Sequence, residues 1–141
     1  MTVGRVEPNP YDEVPYLSLS FAETHPDRMA VIATLAGLQP PAVERCRVLE
    51  LGCASGANLA AMAIGLPNAE FVGVDYAARQ VAEGKETLRA ARIGNVRLEH
   101  RDILDLDANL GQFDYIISHG VYSWVPGPVR EKLLDVCRQN L

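Results

Sequence analysis

The sequence predicts an α/β fold in which helices alternate with the strands of a parallel, doubly wound sheet. Short apolar runs of strand length recur along the chain, and segments with a helical spacing of apolar residues separate them. The 141 residues are 48% hydrophobic and 22% charged. This composition is typical of one globular domain and excludes a disordered or fibrous chain.

The charge and the cysteine pattern limit the partners and the compartment. A formal net charge of −5 disfavours binding to the phosphate backbone of nucleic acids. The three cysteines are an odd number without CxxC spacing, so we expect reduced thiols and a cytoplasmic protein. The longest apolar stretch, 59–66, is far shorter than the roughly 20 residues of a membrane span. The N-terminus also lacks the features of a signal peptide.

Residues 1–45 are predicted to form an arm followed by a helix. A disordered tail seldom carries several aromatic residues, and this arm has three: Tyr11, Tyr16 and Phe21. Pro26 suits the first position of a helix and makes His25 its N-cap. Gly37 is expected to end that helix.

Residues 46–141 are predicted to contain the sheet. The apolar runs place four strands at 47–51, 70–75, 96–99 and 113–118. Helical spacing places helices at 57–64, at 77–92 with Gly94 as the stop, and from Pro128 onwards. In such sheets ligands bind beyond the carboxyl ends of the strands, so the residues that follow each strand are the candidates for a site.

The first strand ends in a turn that contains two glycines. Gly52 and Gly56 allow a tight turn and let a ligand approach the backbone N–H groups at the start of the next helix. The alternative is a turn that needs glycine for packing alone.

The second strand ends in Asp75, 19 positions after Gly56. An acidic residue at about this distance from a glycine loop accepts hydrogen bonds from ribose hydroxyls. Taken alone, Asp75 would serve as a helix N-cap, but together with the loop it favours a nucleoside ligand. Ala54 occupies the position where the dinucleotide fingerprint has its second glycine. Its methyl group disfavours a pyrophosphate, and hence NAD.

The third and fourth strands lead into further candidates. Asp102 is placed to accept the exocyclic amine of adenine and Ile103 to pack on the ring, while an Asx-turn is the alternative for Asp102. His119, in a loop with Tyr122 and Trp124, is a candidate base or hydrogen-bond donor. Core packing is the alternative for the tryptophan. No cluster of side chains at metal-ligand spacing accompanies them, so no metal site is predicted.

These segments resemble, in the same order, the successive motifs of class I S-adenosylmethionine-dependent methyltransferases. The matching segments are 48–56, 73–75, 101–103 and 113–116. The resemblance implies a Rossmann-like fold and an enzyme whose cofactor is S-adenosylmethionine. It also implies a set of cofactor-binding residues, which comprises Glu50, Gly52, Cys53, Ala54, Gly56, Asn58, Asp75, Tyr76, Asp102, Ile103, Ser118, Tyr11 and Tyr16.

Within that set, the resemblance assigns the parts of the cofactor to separate residues. Glu50 and the loop would hold the methionine part, Asp75 the ribose and Asp102 the adenine amine. Ala54 departs from the family, which commonly has glycine there. Its methyl group would narrow the methionine end without blocking it.

The flanking segments 9–16, 24–26 and 118–126 look like those of bacterial methyltransferases that carry a downstream regulatory domain. Some members of that group are protein-lysine methyltransferases that act on outer-membrane proteins. The resemblance implies that the N-terminal arm lies over the cofactor with Tyr11 and Tyr16 as lid residues, although both could instead only anchor the arm. It also implies a methyl acceptor, with a protein lysine as one candidate. His119 or Tyr122 would then assist its deprotonation.

The number of strands adds a further expectation. The class I fold has seven strands in the order 3-2-1-4-5-7-6, and the four expected here would pair as 3-2-1-4. The fourth strand would then have an exposed edge. We therefore expect the N-terminal fragment of a longer enzyme, or a second chain that covers the edge, as in a homo-oligomer. A fragment of a nicotinamide-dependent oxidoreductase and a non-catalytic Rossmann-like interaction module are the alternative functions.

Overall fold

The computed structural model describes residues 16–141, which form one four-stranded parallel sheet flanked by helices. The strands are β1 (Arg47–Leu51), β2 (Glu70–Asp75), β3 (Val96–His100) and β4 (Tyr115–Ile117). The helices are α1 (Pro26–Leu35), α2 (Ala57–Gly65), α3 (Ala78–Ala90) and α4 (Gly127–Asn140). Short 3-10 turns occupy Ala22–Thr24, Val43–Arg45, Ile103–Asp105 and Ala108–Leu110.

The strand order is β3-β2-β1-β4, as the sequence predicts. All the pairings are parallel, with Leu49 of β1 opposite Val72 of β2 on one side and Ile116 of β4 on the other. Four of the five residues of β1 are fully buried. A central parallel strand is covered on both faces, which explains why its sequence is almost continuously apolar.

The core lies on both faces of this sheet. On one face Val48 and Phe71 pack with Leu59 of α2. On the other face Leu49 packs with Leu133 of α4. Consecutive residues of β1 therefore enter opposite cores, as the alternation of side chains along a strand requires. This arrangement is the doubly wound one that the alternation of strands and helices predicts.

The largest differences from the predicted boundaries are two residues, at the start of β4 and at the end of α3. β4 begins at Tyr115 instead of residue 113, because the N–H of Phe113 donates to the carbonyl of Asn140 at the end of α4 (2.7 Å). Gly94 was expected to end the helix over 77–92, but α3 ends at Ala90. The residue in the left-handed region there is Arg92, with φ of 56°.

Other features of the chain bear on the remaining predictions. Within residues 16–141, no helix combines the length and the apolar character that crossing a membrane requires. Cys46, Cys53 and Cys137 are unpaired. Tyr11, one of the two predicted lid residues, lies outside the described residues.

Candidate functional site

The carboxyl ends of the four strands place their loops along one edge of the sheet. Residues 52–56 follow β1, 76–77 follow β2, 101–103 follow β3 and 118–126 follow β4. Sheets of this kind bind ligands at this edge. The structure therefore brings the predicted candidates in these four loops to the same end of the sheet.

The β1–α2 loop uses its two glycines for different reasons. Both are in the left-handed region, with φ of 81° at Gly52 and 75° at Gly56. A Cβ atom at Gly52 would clash with the side chain of Val121, so the loop after β4 packs directly on this position. The N–H of Gly52 donates to the carbonyl of Val74 (2.8 Å), which anchors the loop to β2. Packing is thus one reason for glycine at Gly52, beside its left-handed backbone.

Ala54 adopts the left-handed conformation as well, with φ of 51°. This conformation costs an L-residue about 1 kcal/mol, whereas glycine adopts it freely. The loop therefore imposes a glycine-type backbone on the position where this sequence carries alanine. Its N–H donates to Oδ2 of Asp75 (2.7 Å), which holds that backbone in place.

Asp75 joins the loops after β1 and β2. While Oδ2 accepts the Ala54 N–H, Oδ1 accepts the N–H of Ala77 (2.8 Å). The N-cap of α3 is Ala77, so Asp75 makes a turn before the helix instead of capping it. Each carboxylate oxygen has capacity for a second hydrogen bond, which leaves Asp75 able to accept ribose hydroxyls.

Glu50 is a buried acidic residue at this edge of the sheet. Its side chain is only 4% exposed, and Oε1 accepts from Nδ2 of Asn58 (2.8 Å). Within the described part of the chain, Oε2 has no hydrogen-bond partner. Burial raises the pKa of Glu50 to about 7, although the hydrogen bond from Asn58 opposes the shift. A buried carboxylate oxygen without a partner is costly, so this position fits a ligand that carries a donor or a positive charge.

Asn58 connects Glu50 to the N-terminal segment. Besides Glu50, its Nδ2 donates to Oγ1 of Thr24 (3.0 Å), while its Oδ1 accepts the N–H of Phe21 (2.8 Å). The side chain is 3% exposed. One buried amide therefore links the end of β1 to residues that precede α1.

The described part of the N-terminal arm, residues 16–24, is called the strap below. The carbonyl of Tyr16 accepts from Nε2 of Gln80 (2.8 Å), and Oγ of Ser18 accepts from the N–H of Ala57 (3.3 Å) at the start of α2. The ring of Tyr16 itself is largely exposed. The strap thus spans from α3 to the first turn of α2, next to the β1–α2 loop.

The loop after β3 matches the alternative interpretation of Asp102. Oδ1 of Asp102 accepts the N–H of Leu104 (2.9 Å) and caps a 3-10 turn. Ile103 is half-buried and packs against the core on the α4 side of the sheet. Tyr76, after β2, is half-exposed and lies near His100, with the ring centroids 6.3 Å apart.

The loop after β4 places the two catalytic candidates in different surroundings. The ring of His119 stacks on Phe21 of the strap, with 4.0 Å between centroids, and Nε2 lies 3.8 Å from Oε1 of Glu23. The guanidinium carbon of Arg130 lies 5.6 Å from the centre of the Tyr122 ring. Trp124 is 76% exposed, so core packing was the wrong alternative for this residue. Ser118 is exposed as well.

The structure adds residues that the sequence did not single out. Gln80 is 5% exposed on the buried face of α3, where an apolar residue would be ordinary. This polar residue on an otherwise apolar stripe was the available signal. Nothing local marked Ser18 or Thr24. Two grooves of about 480 and 420 Å³ lie elsewhere, one beside α3 and β3 and one near the amino ends of the strands, and neither is lined by a predicted site residue.

A comparison with known families decides what kind of domain carries this edge. A family profile described as a methyltransferase domain matches residues 48–141, from β1 to the last residue. The chain belongs to the methyltransferase domain family. The four parallel strands in the order 3-2-1-4 agree with the class I methyltransferase fold, so that prediction is confirmed.

Similar proteins are known from several bacteria. An uncharacterized protein of Rickettsia prowazekii is 50% identical over 133 residues, which cover 94% of this chain and 24% of the relative. PKMT2 from Rickettsia typhi, solved in complex with AdoHcy, is 43% identical with a TM-score of 0.87 over 90% of this chain and 24% of PKMT2. Trans-aconitate 2-methyltransferase of Deinococcus radiodurans is 32% identical over 80 residues, covering 57% of this chain and 28% of that enzyme.

The first two of these relatives are much longer than this chain. This chain spans about a quarter of the length of the Rickettsia prowazekii protein and of PKMT2. The activity, substrates and partners of a whole protein of that kind are therefore matters for proposal.

Proposed function

We propose that this chain is the cofactor-binding part of an S-adenosylmethionine-dependent methyltransferase. The buried carboxylate of Glu50 carries the proposal, because its unpartnered Oε2 lies at the end of β1 beside the glycine loop. S-adenosylmethionine has a primary ammonium group that would supply the missing donor and the compensating charge. The likeness to PKMT2 in complex with AdoHcy (S-adenosylhomocysteine) supports the same ligand.

The other loops would hold the remaining parts of the cofactor. The backbone from Gly52 to Gly56, with Cys53 and Ala54 between them, would line the methionine part, and Asp75 would accept from the ribose hydroxyls. Asp102 and Ile103 would contact adenine, while Tyr76 and Ser118 would border the site. Asn58 would border the methionine part, next to Glu50. The residues present fit this assignment, since Glu50, Asp75 and the glycine loop meet at one edge of the sheet.

The reaction would be a displacement at the methyl group. When bound, the cofactor supplies a methyl carbon on a positively charged sulfur: the acceptor's lone pair forms the new bond, and the pair of the breaking C–S bond stays on sulfur. The protein contributes positioning and exclusion of water. We assign the second task to the N-terminal arm, with Tyr11 and Tyr16 as lid residues.

An amine acceptor must lose a proton before it attacks, because its lone pair is otherwise occupied. We propose His119 for this role, since histidine is the side chain that most often transfers protons in enzymes and His119 lies just beyond the end of β4. Tyr122 is the second candidate in the same loop. The contact of His119 with Phe21 places the proposed base against the strap.

For the acceptor we propose a protein lysine. The flanking segments support it because they look like those of a group of bacterial methyltransferases, some of which are protein-lysine methyltransferases. The net charge of −5 disfavours RNA. We further propose a cytoplasmic location, which three unpaired cysteines support.

The outer edge of β4 suggests an additional partner. Among residues 16–141, β4 pairs only with β1, so its other edge presents unpaired backbone groups. We propose that two copies associate through this edge. A dimer in sedimentation velocity at micromolar concentration would support this association, and a monomer over the whole concentration range would contradict it.

Calorimetric titration with AdoHcy tests the cofactor proposal, with NADH as the control ligand. We expect AdoHcy to bind and NADH not to bind. Glu50→Gln should weaken AdoHcy binding about tenfold or more, because the ammonium loses a charged partner. Glu83→Gln is the matched control on the exposed face of α3. Binding of NADH alone would favour the oxidoreductase alternative, and no binding by a folded chain would reject the proposal. The family match favours neither alternative.

A further inference from the structure

The strap is attached to the methyltransferase domain at several separate points. Gln80 holds the carbonyl of Tyr16, and Ser18 caps the first amide of α2. Asn58 holds Phe21 and Thr24, and His119 stacks on Phe21. These attachments come from three different parts of the chain, so the strap is fixed in one position relative to the loop.

The hydrogen bonds around Asn58 are compatible with only one orientation of its side-chain amide. Its NH₂ group donates both to Oε1 of Glu50 and to Oγ1 of Thr24, whose hydroxyl in turn donates to the carbonyl of Phe21 (2.9 Å). The remaining Oδ1 accepts the Phe21 N–H (2.8 Å). Rotating the amide by half a turn would oppose two acceptors at Glu50. The hydrogen bonds to Thr24 and Phe21 therefore require the orientation in which the NH₂ group of Asn58 faces Glu50.

Occupancy of the Glu50 site would strengthen this chain of bonds. A positive donor at Oε2 favours the ionised carboxylate. An ionised carboxylate accepts a stronger hydrogen bond from Asn58 than a neutral carboxyl group does. The better-ordered amide then holds Phe21 and Thr24 more firmly. Free-energy coupling of this kind works in both directions, so a closed strap must also favour the bound ligand.

We propose that Asn58 is a positioning residue that couples Glu50 to the strap, with Gln80 as the distal anchor, so that cofactor binding and strap closure stabilise each other. This inference rests on the proposed function and adds a regulatory element to the same site. Neither residue takes part in the transfer step. Their role is to set how long the cofactor stays bound.

The first experiment compares two glutamines that make the same bond in different places. Gln80→Met removes the hydrogen bond to Tyr16 and keeps the side-chain volume, whereas Gln112→Met removes an equivalent bond to the carbonyl of Gln139 (2.8 Å) far from the strap. We expect Gln80→Met to raise the dissociation rate of AdoHcy about three- to tenfold, with an association rate changed less than twofold. Gln112→Met should leave both rates unchanged. Equal dissociation rates in the two variants would overturn the proposal.

The second experiment follows hydrogen exchange of the strap amides with and without AdoHcy. In the wild type, AdoHcy should slow exchange at Phe21 as well as at Ala54. Thr24→Val leaves the bond between Asn58 and Glu50 in place, so it should keep ligand protection at Ala54 and lose it at Phe21. If the exchange rate of the Phe21 amide in the wild type is the same with and without AdoHcy, the coupling is overturned.

The two proposals fail in different ways. A folded wild-type chain that does not bind AdoHcy rejects the proposed function, and the coupling with it. A chain that binds AdoHcy while its strap amides exchange as before rejects the coupling alone.

Discussion

The carboxylate of Asp75 at the end of β2 accepts the backbone N–H of Ala54 in the β1–α2 loop, at 2.7 Å from Oδ2. One acidic side chain therefore stabilises the β1–α2 loop and would also bind the ligand that this loop contacts. Oδ1 of the same carboxylate accepts the Ala77 N–H at 2.8 Å, so Asp75 also fixes the entry to α3. Its substitution should affect both the fold and the site.

Asp75→Asn should lower AdoHcy affinity about tenfold or more and reduce stability by about 1 kcal/mol. Asparagine has one acceptor oxygen, so only one of the two backbone N–H groups keeps its partner. Titration calorimetry and urea unfolding measure the two effects. Asp105→Asn, at an exposed position, is the control and should change neither. Unchanged affinity in Asp75→Asn would show that the carboxylate serves the fold alone.

Ala54→Gly should stabilise the protein by about 0.5–1 kcal/mol. The left-handed backbone at Ala54 (φ 51°) strains an alanine but not a glycine, and this gain exceeds the extra entropy of glycine in the unfolded chain. Urea unfolding of the two proteins measures the difference. As the control, Ala82→Gly in the exposed face of α3 should be destabilising by about 1 kcal/mol. Equal losses in both variants would mean that the loop tolerates alanine without strain.

Gly52→Ala should be destabilising by about 2 kcal/mol or more and should impair AdoHcy binding. The new methyl group would combine a left-handed backbone (φ 81°) with a clash against Val121. Gly94→Ala is the matched control, because nothing lies within 4 Å of the added Cβ atom there. Thermal unfolding of the two variants checks the prediction. Similar melting temperatures would show that the loop rearranges at little cost.

The buried Glu50 should make the ligand-free protein less stable as the pH rises from about 4.5 towards 7. The folded pKa of about 7 lies above the ordinary value of 4.5, so the folded state keeps a proton that the unfolded chain releases in this range. The contribution is fully present below pH 4.5 and is lost by about pH 7, with a magnitude of about 3 kcal/mol.

Urea unfolding between pH 4 and 8 measures this effect. Glu50→Gln should flatten the profile, because glutamine does not titrate, while Glu83→Gln should leave it as in the wild type. Saturating AdoHcy should also flatten the wild-type profile, since a positive donor beside Glu50 lowers its pKa. A slope that survives in Glu50→Gln would assign the pH dependence to other groups.

The sequence by itself determined the strands, the helices and the edge that carries the site. Apolar runs such as 48–51, the glycines at 52 and 56, and Asp75 at the end of a strand are local signals, because strand periodicity and left-handed turns depend on neighbouring residues. In a parallel sheet these signals suffice to place the loops after the strands at one edge.

Only the tertiary structure decided how the N-terminal segment meets that edge. Gln80 bonds to Tyr16 across 64 positions of sequence, and Asn58 to Thr24 across 34. Contacts between residues so far apart in sequence depend on how the helices and the N-terminal arm pack in three dimensions. No periodic pattern in the sequence encodes them. Oε2 of Glu50, which has no hydrogen-bond partner among the described residues, was likewise decided by the tertiary structure. Burial and the lack of a partner are properties of the assembled core.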